Sequence, residues 1–239
     1  MTILTNYLEL IGINLSGAQM DQLYHYRKML IDWNKNINLT AISDPKEILL
    51  KHFLDSISVH LVEPICDNDT FKIIDVGSGA GFPGLVLKIV FPNSNVTLLE
   101  ATNKKVGFLE FVKGELGLTD LNIIRSRAEN AGHNILFREN FDLVVARGVA
   151  RLPTLSEITL PFCKIKGVCV LHKGPNAHIE VADSLTAIKT MGGLKTELFP
   201  ITHELDMTKT KTVFVKITKS RQTPVKFPRP DGVPKKHPL

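Results

Sequence analysis

The chain has 239 residues, 44% hydrophobic and 22% charged, with a net charge of +5. That length suits one large domain or one domain with an appendage, and the composition is that of an ordinary globular chain. It excludes several classes: no apolar run approaches a membrane span, and the start has no basic segment or cleavage site of a secretory leader.

The three cysteines, Cys66, Cys163 and Cys169, match no zinc spacing and read as buried thiols in a reducing compartment. No metal is therefore expected. In chain order, Ser16-Gly-Ala-Gln19 reads as a capping box. The helix after it carries Leu23, Tyr26, Leu30 and Trp33 on one stripe. Asp44-Pro45-Lys46-Glu47 starts a second helix, running to about Val62, with Leu50, Phe53, Ile57 and Leu61 as its apolar stripe. His52, Asp55 and Ser56 share another face by i+3 and i+4 spacing. A hydrolase triad is rejected there, because Ser56 lies mid-helix and not on a strained elbow. The cluster is expected to orient a neighbouring loop or to touch substrate. Residues 1–65 thus form a helical extension.

From Phe71 to Lys219 strand and helix patterns alternate. Strands are expected at 71–76, 95–99, 121–124, 141–146, 167–172, 194–201 and 211–219. Helices are expected at 84–91, 104–116, 155–163 and 177–191. This alternation predicts an α/β fold: a mostly parallel seven-stranded sheet, Rossmann-like, covered by helices and ending antiparallel. The core spans 66–219. Residues 220–239, rich in Pro and Lys, form an irregular tail. From Lys219 to the end, six Lys or Arg face Asp231 alone, a surplus equal to that of the whole chain. Such a tail suggests a polyanionic partner.

The pattern is organised around Asp75-Val-Gly77-Ser-Gly79-Ala-Gly81-Phe82-Pro83-Gly84, a strand end, a glycine turn and a helix start. Two readings compete. Gly79, Gly81 and Gly84 fit the G-x-G-x-x-G dinucleotide fingerprint. Asp75-x-Gly77-x-Gly79-x-Gly81 resembles the first motif of class I S-adenosylmethionine (SAM) methyltransferases. That cofactor carries a sulfonium and an amino-acid tail, so a carboxylate beside the turn is electrostatically sensible.

Ligands of open α/β sheets sit at the carboxyl ends of the strands. Those ends read Asp75–Phe82, Glu100, Arg127–Glu129, Arg147 and Lys173. Glu100 suits a ribose diol, which both cofactors contain, and Glu129 suits the adenine end. Arg127, Arg147 and Lys173 are expected to converge. Without an anionic ligand they would repel one another, which points to a phosphate-bearing substrate.

Further segments occur in a fixed order: Trp33-Asn34…Asn38-Leu39-Thr40, His52-x-x-Asp55-Ser56, Glu100…Lys104-Lys105, Arg127-Ala128-Glu129, Ala146-Arg147, Lys173-Gly174 and the tail from Pro228 to Leu239. Together with the glycine turn they resemble the bacterial 16S rRNA methyltransferase G family, also called glucose-inhibited division protein B. The resemblance implies a SAM-dependent enzyme that methylates N7 of one guanosine in 16S rRNA of the small ribosomal subunit. It implies cofactor contacts at Gly77, Phe82, Ala128, Glu129 and Arg147, beside Asp75, Gly79, Gly81 and Glu100 from the motif itself. It also implies a basic active site at Arg127, Arg147 and Lys173. Two positions depart from the family, Gly148 for the usual Ala and Gly107 for a basic residue. A cytoplasmic monomer is expected. The Asn/Asp-Pro-Pro-aromatic motif of exocyclic-amine methylation is missing after the fourth strand. Cys163, in an expected helix, is a poor nucleophile for carbon methylation. The alternatives are a NAD-dependent oxidoreductase using the same glycines and a non-catalytic RNA-binding assembly factor.

Overall fold

A computed structural model describes residues 2–205 and 208–239. Two helices, α1 (Thr2–Leu10) and α2 (Gly17–Asn34), lead in. The capping box forms: Ser16 Oγ accepts from Gln19 N at 3.3 Å, and Gln19 Oε1 accepts from Ser16 N at 3.0 Å. Gln19 Nε2 also donates to Ile89 O at 2.8 Å, which ties the cap to the core.

Asp44 caps the next start as expected, its Oδ1 accepting from Lys46 N and Glu47 N. The run beyond it is not one regular helix. It comprises α3 (Pro45–Ile48), a π-helical turn (Leu49–Leu54), α4 (Asp55–Ile57) and α5 (Val59–Val62). A π turn holds more residues than an α turn and rotates the residues after it about the helix axis. Leu50, Phe53 and Ile57 are buried as expected, but Leu61 is 44% exposed and Val62 is buried instead.

The core alternates β1 (Lys72–Val76), α6 (Gly84–Val90), β2 (Asn95–Glu100), α7 (Asn103–Glu115), β3 (Leu121–Arg125), α8 (Ala128–Ala131), β4 (Phe141–Arg147), α9 (Leu152–Thr159), β5 (Cys163–Lys173) and α10 (Ala177–Thr190). The antiparallel pair β6 (Gly193–Leu205) and β7 (Thr208–Lys219) closes the sheet, and α11 (Val233–Lys236) lies in the tail. A short 3₁₀ turn, Leu160–Phe162, separates α9 from β5. Pro161 has no N–H to continue the helix, so Cys163 opens a strand and is not helical. Of the three free thiols Cys66 is exposed, against expectation, while Cys163 and Cys169 are buried.

The seven strands run in the order β3-β2-β1-β4-β5-β7-β6. The first five are parallel, and β7 is antiparallel to both its neighbours. Alternate strand residues face opposite sides. Ile73, Leu143 and Val145 join one apolar cluster with Tyr26, Leu30, Phe53, Leu85 and Phe108. Ile74, Val144 and Ala146 join a second with Leu155, Ile158 and Ile188. The N-terminal helices therefore share a core with α6, α7 and one sheet face. The order reverses between β1 and β4, and their carboxyl ends open the crevice where such sheets bind ligands.

The end of β7 corrects the reading of the tail cations. Lys219 is fully buried. Its Nζ donates to Glu139 Oε1 at 2.7 Å, Leu160 O at 2.8 Å and Thr223 Oγ1 at 3.0 Å. Arg229 is paired with Glu157. Two of the six cations thus serve the fold. Lys219→Met should cost roughly 3–5 kcal/mol, because it strands acceptors that a buried cation satisfies. A urea midpoint unchanged from wild type would contradict that role.

Candidate functional site

The glycine turn needs backbone shapes that side chains disfavour. Gly77, Gly79 and Gly81 have φ of 74°, 58° and 99°. A Cβ on Gly77 would lie 2.7 Å from Val149 Cγ2, and one on Gly81 would lie 2.8 Å from Leu85 Cβ. Three side chains hold the turn from below. Asp75 Oδ2 accepts from Gly84 N at 2.8 Å, and Glu100 Oε2 from Gly79 N at 2.9 Å. Tyr26 donates its hydroxyl to Ala80 O.

A cleft of about 280 Å³ opens over the carboxyl ends of β1 to β4. Gly77, Glu100, Thr102, Arg127, Ala128, Glu129, the 148–150 loop, Thr154 and Lys235 line it. Glu100 is set in place by two amides, from Gly79 and from Thr102 at 2.7 Å, and each oxygen keeps a second lone pair. Of the residues expected at a cofactor, Gly77, Glu100, Ala128 and Glu129 line the cleft. Gly79 and Gly81 shape the turn, while Asp75, Phe82 and Arg147 do not line this cleft.

Asp75 is fully buried and Oδ1 has no partner. Burial pushes its carboxyl up to about 7, against the Gly84 amide and Arg147, which favour the charged form. It braces the turn from within and does not face the cleft.

Phe82 is buried and lines neither cleft. Its ring stacks on Tyr26 at 5.2 Å and on His52 at 4.5 Å, and the Arg147 guanidinium lies 5.1 Å from its centroid. Arg147 Nη1 donates to Lys51 O at 2.7 Å and lies 3.5 Å from Asp55 Oδ2. Its Nη2 is 2.9 Å from His52 Nδ1. The same Nδ1 lies 3.1 Å from Lys51 O, and Nε2 lies 2.8 Å from Thr40 Oγ1. Burial and Arg147 together lower His52 to about 4. Ser56 donates back to His52 O inside the helix, so His52, Asp55 and Ser56 are no triad.

Beside the first cleft lies a second of about 350 Å³, lined by Asp55, Arg147, His172, Lys173 and Glu180. The two clefts share Gly148 and Ala150. His172, lowered by burial to about 4, has an unpartnered Nδ1.

The three cations do not converge. Arg147 and Lys173 line the second cleft, and Arg127 lines the first. Nor do they face each other unpaired: Lys173 lies 2.7 Å from Glu180, Arg147 3.5 Å from Asp55 and Arg127 3.5 Å from Asp231. The repulsion argument for an anionic substrate therefore fails. Sequence reasoning missed Tyr26, Glu180 and His172 as site residues. Tyr26 sat in an apolar stripe, Glu180 gave no signal, and His172 stood one residue before a noted strand end.

A family model described as rRNA small subunit methyltransferase G (GidB) matches residues 19–208. The chain belongs to that family. A relative named ribosomal RNA small subunit methyltransferase G from Alkaliphilus metalliredigens is 42% identical over 99% of this chain and 98% of its own. One of the same name from Acetivibrio thermocellus is 43% identical over 95% and 92%. Among solved structures, a SAM-dependent O-methyltransferase from Thermotoga maritima gives a TM-score of 0.52 at 18% identity, covering 81% of this chain and 72% of that one. An rRNA methylase from Streptococcus thermophilus gives 0.50 at 15%, covering 71% and 97%. At such identities the likeness is one of fold, the class I methyltransferase fold.

The buried carboxyl makes a signed prediction. The folded value of Asp75, about 7, lies above its ordinary 3.8. The folded state thus keeps a proton that the unfolded state gives up, and this residue's contribution falls as pH rises from about 4 to about 7. His52 and His172, lowered from 6.5 to about 4, act in the opposite sense, losing stability as pH falls. Asp75→Asn retains an oxygen for Gly84 N and shares those histidines. Urea unfolding across pH 4 to 8 should show wild type losing stability relative to the variant up to about 7 and levelling above it. A pH-independent difference would contradict the buried, proton-holding carboxyl.

Proposed function

We propose that the protein transfers the methyl group of SAM to N7 of one guanosine in 16S rRNA of the small ribosomal subunit. The observation that carries this reading is the cleft bounded by the glycine turn and Glu100, in a chain that matches its family nearly end to end. The protein is a SAM-dependent rRNA methyltransferase. Its relatives are named methyltransferases, and neither an oxidoreductase nor a non-catalytic assembly factor finds support among them. We place the reaction in the cytoplasm, with the protein acting as a monomer.

The cleft fits the cofactor on its own features. A Cβ on Gly77 would run into Val149, so only glycine lets the turn and the Val149 wall of the cleft close together on the ligand's side. Glu100 offers lone pairs to the ribose hydroxyls, and Ala128 with Glu129 bounds the adenine end. Gly79 and Gly81 give the turn its shape, and Asp75 and Phe82 support it from below. When bound, SAM supplies a methyl group on a cationic sulfur. Gly148 and Ala150 border both clefts, so donor and acceptor meet at the end of β4.

The chain's residues position and do not move protons. Guanine N7 carries a lone pair and no proton, so it needs no base. His52 agrees with that chemistry, since both its ring nitrogens are engaged, by Arg147 and Thr40. Arg147 and Lys173 bound the acceptor side, each steadied by its own acid. Arg127 edges the cofactor side, at the rim of the first cleft. Proximity and alignment then carry the rate.

Small subunits incubated with methyl-labelled SAM should return the label as N7-methylguanosine. Arg147→Ala should lower single-turnover transfer by about 10²-fold through misalignment and keep the wild-type pH profile between about pH 6 and 9. Label on another atom would overturn the reaction assignment. An ionisation gained or lost in the variant would overturn the positioning role.

A further inference from the structure

We propose that the C-terminal segment from Pro228 to Lys236 is a wall of the cofactor cleft, with Lys235 contacting the cofactor and Asp231 and Gly232 positioning the residues that bind it. This rests on the first cleft being the SAM site, and it gives the tail a role other than RNA binding.

The segment is fixed at both ends. At one end Arg229 meets Glu157 of α9, a fully buried residue. Arg229 Nε donates to Oε1 at 2.9 Å, Nη2 to Oε2 at 2.6 Å, and Arg229 N to Oε1 at 2.8 Å. A carboxylate buried without a cation is strongly unfavourable, so the fold specifies where Arg229 lies. His133 Nε2 donates to Pro228 O at 2.7 Å beside it. At the other end Thr154 Oγ1 donates to Pro234 O at 2.9 Å.

Between these anchors the chain crosses the cleft residues themselves. Gly232, with φ of 78°, donates its amide to Glu129 Oε1 at 3.3 Å. Asp231 Oδ2 lies 3.5 Å from Arg127 Nε. Arg127, Glu129 and Thr154 all line the cleft, and Lys235 lines it directly. One short segment therefore touches three cleft residues and adds a fourth.

The strengths differ along it. The Arg229–Glu157 pair is bidentate on a fully buried carboxylate, whereas Arg127 and Asp231 are 61% and 49% exposed. Exposed pairs of that kind contribute little by themselves. Firm anchors thus flank a loosely held crossing that orients Glu129 and Arg127. The Lys235 ammonium adds a donor to a cleft that holds two carboxylates, Glu100 and Glu129.

The test uses the full chain with Asp231→Ala and Lys235→Ala combined. Both side chains are exposed, so the fold should survive, and an unchanged melting temperature checks that it does. Calorimetric titration with S-adenosylhomocysteine should show binding weakened about tenfold, as two lost polar contacts would give. Binding to small subunits should keep the wild-type affinity and salt slope. A second variant, Glu157→Met with Arg229→Met, removes the anchor without leaving a buried charge and should weaken the same titration. Wild-type cofactor affinity in both variants would overturn the proposal, as would a loss confined to subunit binding, which would assign the tail to RNA. If wild type itself failed to bind the ligand, the reading of the cleft would fall first and this proposal with it.

Discussion

A turn whose glycines take left-handed backbone shapes cannot rely on regular secondary structure to fix it, and here three side chains do so. Asp75 from β1 holds Gly84 N, Glu100 from β2 holds Gly79 N, and Tyr26 from α2 holds Ala80 O. The Asp75 and Tyr26 bonds are buried, where an unmet polar group would be costly. The three anchors come from three elements, so the turn is set only when the sheet and the N-terminal helices are in place together. The first cleft, the start of α6 and the position of Phe82 all depend on it.

Through Phe82 the same constraint reaches the second cleft. The ring lies between Tyr26, His52 and the Arg147 guanidinium. Arg147 in turn holds Lys51 O, His52 and Asp55, all from the irregular helical run. The π turn at Leu49–Leu54 supplies two of those three partners. Irregular turns of this type recur at functional sites. The helical N-terminus thus forms the floor on which the end of β4 rests, and shares a hydrophobic core with the sheet.

The alternation of elements was legible in the sequence because strand and helix periods differ and because strand polarity brings their ends to one edge. The glycine turn, both N-caps and the antiparallel ending are read from residues a few positions apart. Pairing across long separations was not legible. Glu157 and Arg229, Lys219 and Glu139, Arg147 and Asp55, and Arg127 and Asp231 neutralise one another only once the chain is folded. Without those partners, Arg127, Arg147 and Lys173 looked like a repelling cluster and the tail like a free cationic arm. Leu61 failed for a different reason, since a π turn shifts the helix phase and leaves no mark in the apolar pattern. Asp75 was read as facing a ligand because a carboxylate next to a glycine turn gives no sign of which side of the strand it occupies.

The central claim is that backbone geometry at Gly77 makes the cofactor cleft. It is tested most directly by titrating S-adenosylhomocysteine calorimetrically into wild type and into Gly77→Ala. The added methyl meets Val149 at 2.7 Å on a backbone with φ of 74°, a combination that side chains disfavour. The account predicts one ligand per wild-type chain, and at least about a tenfold loss of affinity in a variant that still folds. Equal affinity in the two proteins would contradict it.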